Sequence, residues 1–176
     1  MQKAFIKYYQ EYTITALNTP KNLSLATERK KMEVLIDNRQ KKHKISLKKI
    51  RRKARAILNA FDSPDVELSI LIVDDPKIEV LNKEYFNRHG PTNVIAFPMR
   101  TGQFKKINPQ LLGDVAISIE TAAKEGQIAG VSIEERFTQL LVHGILHLLG
   151  YDHEKTKKQA AKMEKKSNEI LKLIDI

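Results

Sequence analysis

The chain has 176 residues, 31 Lys and Arg against 21 Asp and Glu, 41% apolar residues, and neither cysteine nor tryptophan. That length suits one domain with an appendage, and the missing cysteines exclude a disulfide framework, a thiolate zinc site, an iron–sulfur cluster and a cysteine nucleophile. The net charge of +10 favours a polyanionic partner, of which nucleic acid is the commonest, over the plainer reading of a lysine-rich solvated surface.

Residues 1–31 stand apart from the rest of the chain. Phe5, Tyr8, Tyr9 and Tyr12 cluster at helical spacing, and Thr19-Pro20 breaks the pattern, because the residue before a proline is pushed out of the helical region. The reading is an N-terminal extension of unknown role, a short amphipathic helix and a linker, with Met32 as an alternative start. A single domain is expected over 32–176.

The domain opens with a strand over 33–38. A helix over 45–61 comes next, where Ile50, Ala54, Ile57, Leu58 and Phe61 recur at three- and four-residue steps and Ser46 can serve as N-cap. Residues 66–75 form a strand ending in acidic residues. Pro76 sits where a helix can start, and a helix over 77–89 is expected. Gly90-Pro91 marks a turn. A strand over 92–99 is cut off near Pro98, a loop spans 100–113, and a strand covers 114–119. A short helix over 120–130 ends at Gly130. A long helix is expected over 132–150, opened by the capping box Ser132-x-x-Glu135. A lysine-rich helix over 154–173 closes the chain.

The order β-α-β-α-β-β-α-α-α predicts an α/β fold of the α+β type, with one small mixed sheet of about four strands layered with about five helices. The sheet is expected to turn one face to the early helices and the other to helix 132–150. No apolar run reaches the ~18–20 residues of a membrane span, and no signal-like apolar segment opens the chain. The expectation is a cytoplasmic protein without a membrane partner; its oligomeric state is not legible.

The chemistry concentrates in one segment, His143-Gly-Ile-Leu-His147-Leu-Leu-Gly150-Tyr-Asp-His153. His143 and His147 are four residues apart, so on a helix they share a face, about 6 Å apart along the axis. Gly150 can end the helix in the left-handed conformation and let the chain reverse, so that His153 returns to the same point. Three imidazoles leave one position of a tetrahedral zinc site open for water, whose pKa the ion lowers towards ~7. An isolated pair of histidines at this spacing is more often part of a core; a third beyond a glycine hinge is hard to explain that way. His43 and His89 read as surface residues. The spacing HxxxHxxGxxH is also that of the metzincin proteases, in which a glutamate follows the first histidine and acts as general base. Here that position is Gly144, so the ligand scaffold stands without the protease base.

Taken with other segments, HGILHLLGYDH resembles the signature HGxLHLxGYDH of the YbeY family of metal-dependent endoribonucleases. Leu81-Asn82 followed by Pro91-Thr92-Asn93-Val94-Ile95-Ala96-Phe97 is similar to that family's LN…PTNVLSF block, and Leu112-Gly113-Asp114-Val115-Ala116-Ile117-Ser118 to its LGDIxIS strand. The likeness runs from residue 32 to about 160. It implies an α/β fold, one zinc ion held by His143, His147 and His153, and cleavage of single-stranded RNA in 3′-end maturation of small-subunit rRNA and ribosome quality control. Family members often carry an arginine after the tyrosine of this block. Phe86 stands there instead, and Arg88, two residues on, is the candidate substrate contact.

From Arg39 to Arg55 the chain carries ten basic residues and no acidic one, a run suited to phosphate contact that gives salt-dependent affinity. Lys155, Lys157, Lys158, Lys162, Lys165 and Lys166 add to it. Metal-assisted phosphodiester cleavage is the expected reaction. No catalytic general base stands out: Asp114, at a strand start, and Asp152, between two ligands, are the available carboxylates, and Asp152 can alternatively orient a ligand imidazole. The competing reading is a non-catalytic rRNA-binding ribosome-assembly factor with a structural zinc. A zinc hydrolase of small molecules or peptides fits less well with Gly144 and the charge.

Overall fold

Side chains alternate across a strand with period two, and the second strand shows the consequence. Its Leu68, Ile70 and Ile72 are fully buried on one face, while Leu71 and Val73 join a separate cluster on the other. Each fully buried side chain of this size contributes roughly 1.5–3 kcal/mol, so the two-sided burial fixes both the register and the layers around the sheet.

The computed structural model describes residues 32–63, 65–100 and 110–174. The helix and linker expected over 1–31 lie outside these, as does most of the expected loop. The elements are β1 (Glu33–Asn38), α1 (Leu47–Asn59), β2 (Glu67–Val73), α2 (Asp75–Phe86), β3 (Val94–Pro98), β4 (Leu111–Ser118), α3 (Ile119–Ala129), α4 (Ile133–Leu148) and α5 (Lys157–Ile174). The four strands form one mixed sheet in the order β1-β2-β4-β3, with β1, β2 and β4 parallel and β3 antiparallel to β4. This is the α/β arrangement the element order predicts.

All five described helices start on a polar side chain that accepts an orphan amide hydrogen, as helix N-termini require, Thr156 Oγ1 taking Gln159 N–H at 3.2 Å at the start of α5. Ser46 Oγ accepts from Lys49 N at 3.3 Å, Asp74 Oδ1 from Lys77 N at 3.1 Å, Ser118 Oγ from Thr121 N at 3.2 Å, and Ser132 Oγ from Glu135 N at 3.1 Å. These caps account for the shifted boundaries. Asp74 caps α2, so β2 ends at Val73 and the helix begins two residues before the expected 77. The same helix stops at Phe86 because Asn87 turns left-handed, with φ 53°. Ser118 is both the last residue of β4 and the cap of α3.

β4 starts at Leu111, three residues earlier than expected, and contains an irregularity. Glu67 pairs with Leu111 but Leu68 with Gly113, so Leu112 is an extra residue on β4. Gly113 adopts φ 140°, and a β-carbon there would lie 2.3 Å from Phe97 O of β3. The glycine therefore lets the antiparallel edge strand close onto the sheet at this bulge.

The layering differs from expectation. One face of the sheet carries α1 together with α4 and α5: Ile50, Ala54, Ile57 and Leu58 share a core with Leu141, Ile145, Met163 and Ile170. The other face carries α2, through Ile78, Leu81 and Tyr85 against Val73, Ile95 and Ala116. The two early helices thus lie on opposite faces, and α1 shares its face with α4, the helix that bears His143 and His147.

Candidate metal centre and its cleft

α4 runs against β3 and β4, and its contact with them depends on Gly144. A β-carbon at this position would sit 2.6 Å from Val115 Cγ1 and 3.2 Å from Val94 Cγ2. Gly144 therefore faces the sheet. Residues 143 and 147 lie on a different side of the helix, half-buried at the wall of a cleft. The position that carries a base in metzincin proteases is in this fold pressed against valine side chains.

After α4 the chain reverses as the glycine spacing predicts. Gly150 takes φ 88°, its N–H donates to His147 O at 3.0 Å, and Tyr151 N–H donates to Leu146 O at 3.0 Å. The reversal brings back His153. The ring centroids of the three histidines lie 4.7, 5.1 and 5.1 Å apart, and one ligand nitrogen from each falls within 4.8 Å of the others. His143 Nε2 and His147 Nε2 are 3.1 Å apart. A tetrahedral ion bound at about 2.0–2.1 Å holds its nitrogens ~3.3 Å apart, so the trio suits a small divalent metal ion.

The ring of His147 is held from behind. Its Nδ1 lies 3.1 Å from Tyr151 O. A carbonyl only accepts, so Nδ1 carries the hydrogen and Nε2 is left with its lone pair towards His143. Burial, with smaller contributions from His147, His153 and Arg136, lowers the pKa of His143 to about 4. Burial and then His153 lower that of His147. Both rings are neutral at pH 7, the form that ligates a metal.

The cleft has a volume of about 530 Å³ and opens along β3, the edge of the sheet. Besides the three histidines, Phe86, Arg88, Thr92, Asn93, Val94, Ala96, Asp152, Glu154 and Lys155 line it. Arg88 is exposed at its mouth, with Nη2 4.0 Å from Glu154 Oε1. The loop that carries Arg88 is pinned at Gly90: Asn82 Nδ2 donates to Gly90 O at 3.0 Å, and Gly90 N–H donates to Glu79 Oε1 at 3.2 Å. On the opposite side, Asn93 Nδ2 donates to Glu125, which also pairs with Arg136 at 2.8 Å. Asn93 Oδ1 meanwhile accepts Val94 N–H at 2.7 Å.

The two candidate carboxylates part company. Asp152 lines the cleft, but its Oδ1 accepts Glu154 N–H at 2.8 Å and its Oδ2 pairs with Lys155 at 3.1 Å. It braces its own loop, and the group that orients His147 is the Tyr151 carbonyl. Asp114 is buried and outside the lining of the cleft. It alternates with Val115 and Ile117, which face α4, and so lies on the sheet face away from the histidines.

The basic run 39–55 is also elsewhere. None of it lines the cleft, and α1 packs on β1, at the opposite edge of the sheet from β3. Several of its charges serve the fold: Lys42 pairs with Glu120 at 2.5 Å, Lys49 with Glu134 at 3.1 Å, Arg51 Nε donates to Val34 O, and Lys53 Nζ donates to Thr138 Oγ1. Arg88 and Lys155 supply the positive charge at the cleft instead. His43 and His89 stand outside it.

Residues 35–175 match the family model described as endoribonuclease YbeY. Proteins named endoribonuclease YbeY are similar over most of the chain. The one from Geobacter metallireducens is 46% identical over 82% of this chain and 97% of its own length. The one from Aquifex aeolicus is 42% identical over 83% and 94%, and the one from Syntrophus aciditrophicus 40% identical over 85% and 94%. Among solved structures, the solution structure of TM1509 from Thermotoga maritima superposes with a TM-score of 0.56 at 20% identity, covering 81% of this chain and 88% of that one, a likeness of fold.

Proposed function

The chain belongs to the endoribonuclease YbeY family, and from that premise we propose that it cleaves single-stranded RNA with one zinc ion per chain held by His143, His147 and His153. In this reading residues 32–176 are the catalytic domain and residues 1–31 an appendage. The RNA is rRNA of the small ribosomal subunit, whose 3′ end it matures in the cytoplasm, with a further part in ribosome quality control. No described helix is long and apolar enough to cross a membrane.

One observation carries the reading: three imidazole nitrogens within 4.8 Å of one another on the wall of an open cleft that also bears Arg88 and Lys155. Bound zinc supplies Lewis acidity towards phosphate oxygen and water. The protein's own residues supply the rest. Tyr151 O fixes the ring of His147, and burial keeps His143 unprotonated. Arg88, held by the loop pinned at Gly90, and Lys155 meet backbone phosphates and the charge that grows on the scissile one.

The second reading, an rRNA-binding assembly factor with a structural metal, draws on the engagement of Asp152 with its own loop and the placement of Asp114 on the far face of the sheet. One experiment separates the two. Zinc-loaded protein is incubated with single-stranded rRNA fragments beside a His147→Ala variant and a chelator control. Cleavage lost in both controls supports the endonuclease. Cleavage undiminished in the variant overturns it, and tight RNA binding by both proteins without any cleavage favours the assembly factor.

A further inference from the structure

A single exposed apolar side chain is ordinary on a protein surface, so it is the place of an exposed aromatic that carries information. Two consecutive aromatics end α2 and behave differently. Tyr85 is buried, its ring packed edge-on to Phe97 of β3 at 5.0 Å between centroids. Phe86 is 42% exposed, although its ring also leans on Phe97, at 6.1 Å and 38° between planes. The remainder of its surface lines the cleft that holds the three histidines.

Its support is firm. Phe97 lies on β3 and packs against the cluster formed by Val73, Ile78, Leu81, Tyr85, Ile95 and Ala116, so a flat apolar surface is presented from a braced position. The cleft it faces is mixed. Val94, Ala96 and Pro98 of the strand edge line it together with Arg88, Lys155, Thr92 and the histidines, so the aromatic surface shares one space with cationic and hydrogen-bonding groups. A flat π-surface beside cations is what an unstacked nucleobase on a charged backbone needs, because every base offers a π-face while the cations take the phosphates.

We propose that Phe86 is a stacking platform for one unpaired base of the RNA substrate, set beside the metal centre and working with Arg88 on the adjoining phosphate. The proposal rests on the RNA reading of the cleft and adds to it a contact with a base. It makes the cleft selective for single strands, since a base held in a duplex cannot turn onto the ring. It leaves sequence preference weak, because stacking reads the face of a base and not its edge.

The chain has no tryptophan, so a Phe86→Trp variant carries its one tryptophan in the cleft, excited selectively over the tyrosines. Its emission is followed while short single-stranded RNA is added, and anisotropy of labelled RNA gives the affinities of wild type, Phe86→Leu, Phe86→Tyr and Phe86→Trp. The intactness of the RNA is checked on a gel and the fold of each variant by circular dichroism. The proposal expects saturable quenching of the tryptophan and near wild-type affinity for the two aromatic variants. Phe86→Leu should bind about tenfold more weakly, the scale of one lost base–aromatic contact. That penalty should vanish on an oligomer of the same length with abasic sugars.

Affinity unchanged in Phe86→Leu, or tryptophan emission unchanged while RNA binds, overturns the proposal and leaves the RNA reading intact. An equal penalty on abasic RNA also overturns it, by assigning the contact to the backbone. Failure of the wild-type protein to bind any single-stranded RNA overturns both. Should Phe86→Leu fail to fold, the two aromatic variants and the quenching decide the matter.

Discussion

Gly144→Ala forces a methyl group onto Val115 and Val94, both stiff β-branched side chains, and one of them fully buried. Overpacking of this kind costs about 1–3 kcal/mol, and urea denaturation is expected to show a loss in that range. Gly150 differs, since nothing lies within 4 Å of a β-carbon there and only its φ of 88° requires glycine. Gly150→Ala should cost about 1 kcal/mol and, by disturbing the turn that returns His153, weaken zinc binding measured by competition titration; unchanged affinity would show that the turn does not set the site. The histidine trio was legible in the sequence because helical spacing and a glycine hinge are both written in residue types. The Tyr151 carbonyl was not, because a backbone acceptor leaves no trace in side-chain identity. The placement of Asp114 was illegible for a different reason. It was read at a strand start, but β4 begins three residues earlier and Asp114 lies within it, on a face that is known only once the packing of α4 against Val115 and Ile117 is seen.

Elements meet most tightly where β4 passes into α3. Asp75, in the first turn of α2, accepts from Ser118 Oγ, from Thr121 Oγ1 at 2.7 Å and from Lys124 Nζ at 2.6 Å, while its own N–H donates to Glu120 at 2.8 Å. Burial pushes the pKa of Asp75 up, but the hydrogen bonds from Lys124, Ser118 and Thr121 outweigh it and bring the carboxyl to about 2. A carboxylate with a lowered folded pKa adds stability that is present above its unfolded pKa and disappears as pH falls through the folded value. The junction should therefore contribute about 2–3 kcal/mol near neutrality and lose it between roughly pH 4 and pH 2. Asp75→Asn is expected to remove this contribution at pH 7 and flatten the acid limb of a stability–pH curve; an unaltered limb would assign the acid sensitivity elsewhere. At the start of α4, Ser132→Ala removes the acceptor for Glu135 N–H and should cost about 1 kcal/mol, read as a shift in the denaturation midpoint. The starts of α1 and α4 were legible because Ser46 and Ser132 carry a cap signature; that of α2 was not, because its cap Asp74 also reads as the end of a strand. The cross-element partners of Asp75 were not, since Ser118 and Thr121 are 43 and 46 residues away.

For the whole molecule, the layers were the least legible feature. The handedness rule constrains a connection between parallel strands, but α2 leads into the antiparallel β3, so chain order did not tell which face α2 would cover. The basic run 39–55 could not be placed for a related reason: one-signed charge identifies a surface, and only the topology puts α1 at the edge opposite the cleft. Zinc bound as proposed by His143, His147 and His153 is expected to stabilise the fold by mass action, by about 2.7 kcal/mol at a hundred times its Kd. For a domain of this size that corresponds to a rise of about 5–10 °C in Tm. Differential scanning fluorimetry with and without zinc should show the rise in wild type and not in His147→Ala; equal shifts would place the stabilising ion elsewhere. The cleft opens on β3, which pairs with no further strand among the described residues, and such edges tend to recruit strands from other molecules. Ser118 N–H bonds Asn93 O and Met99 N–H bonds Leu112 O, so by alternation the Val94 and Ala96 amides point outward. The Asn93 side chain already takes the Val94 N–H, and Pro98 has none to offer. Along β3 Ala96 is left as the sole outward donor, too few for a foreign strand to zip onto. The rim of the cleft can thus stay open to a solute that arrives and leaves, without becoming a seam along which copies of the chain polymerise.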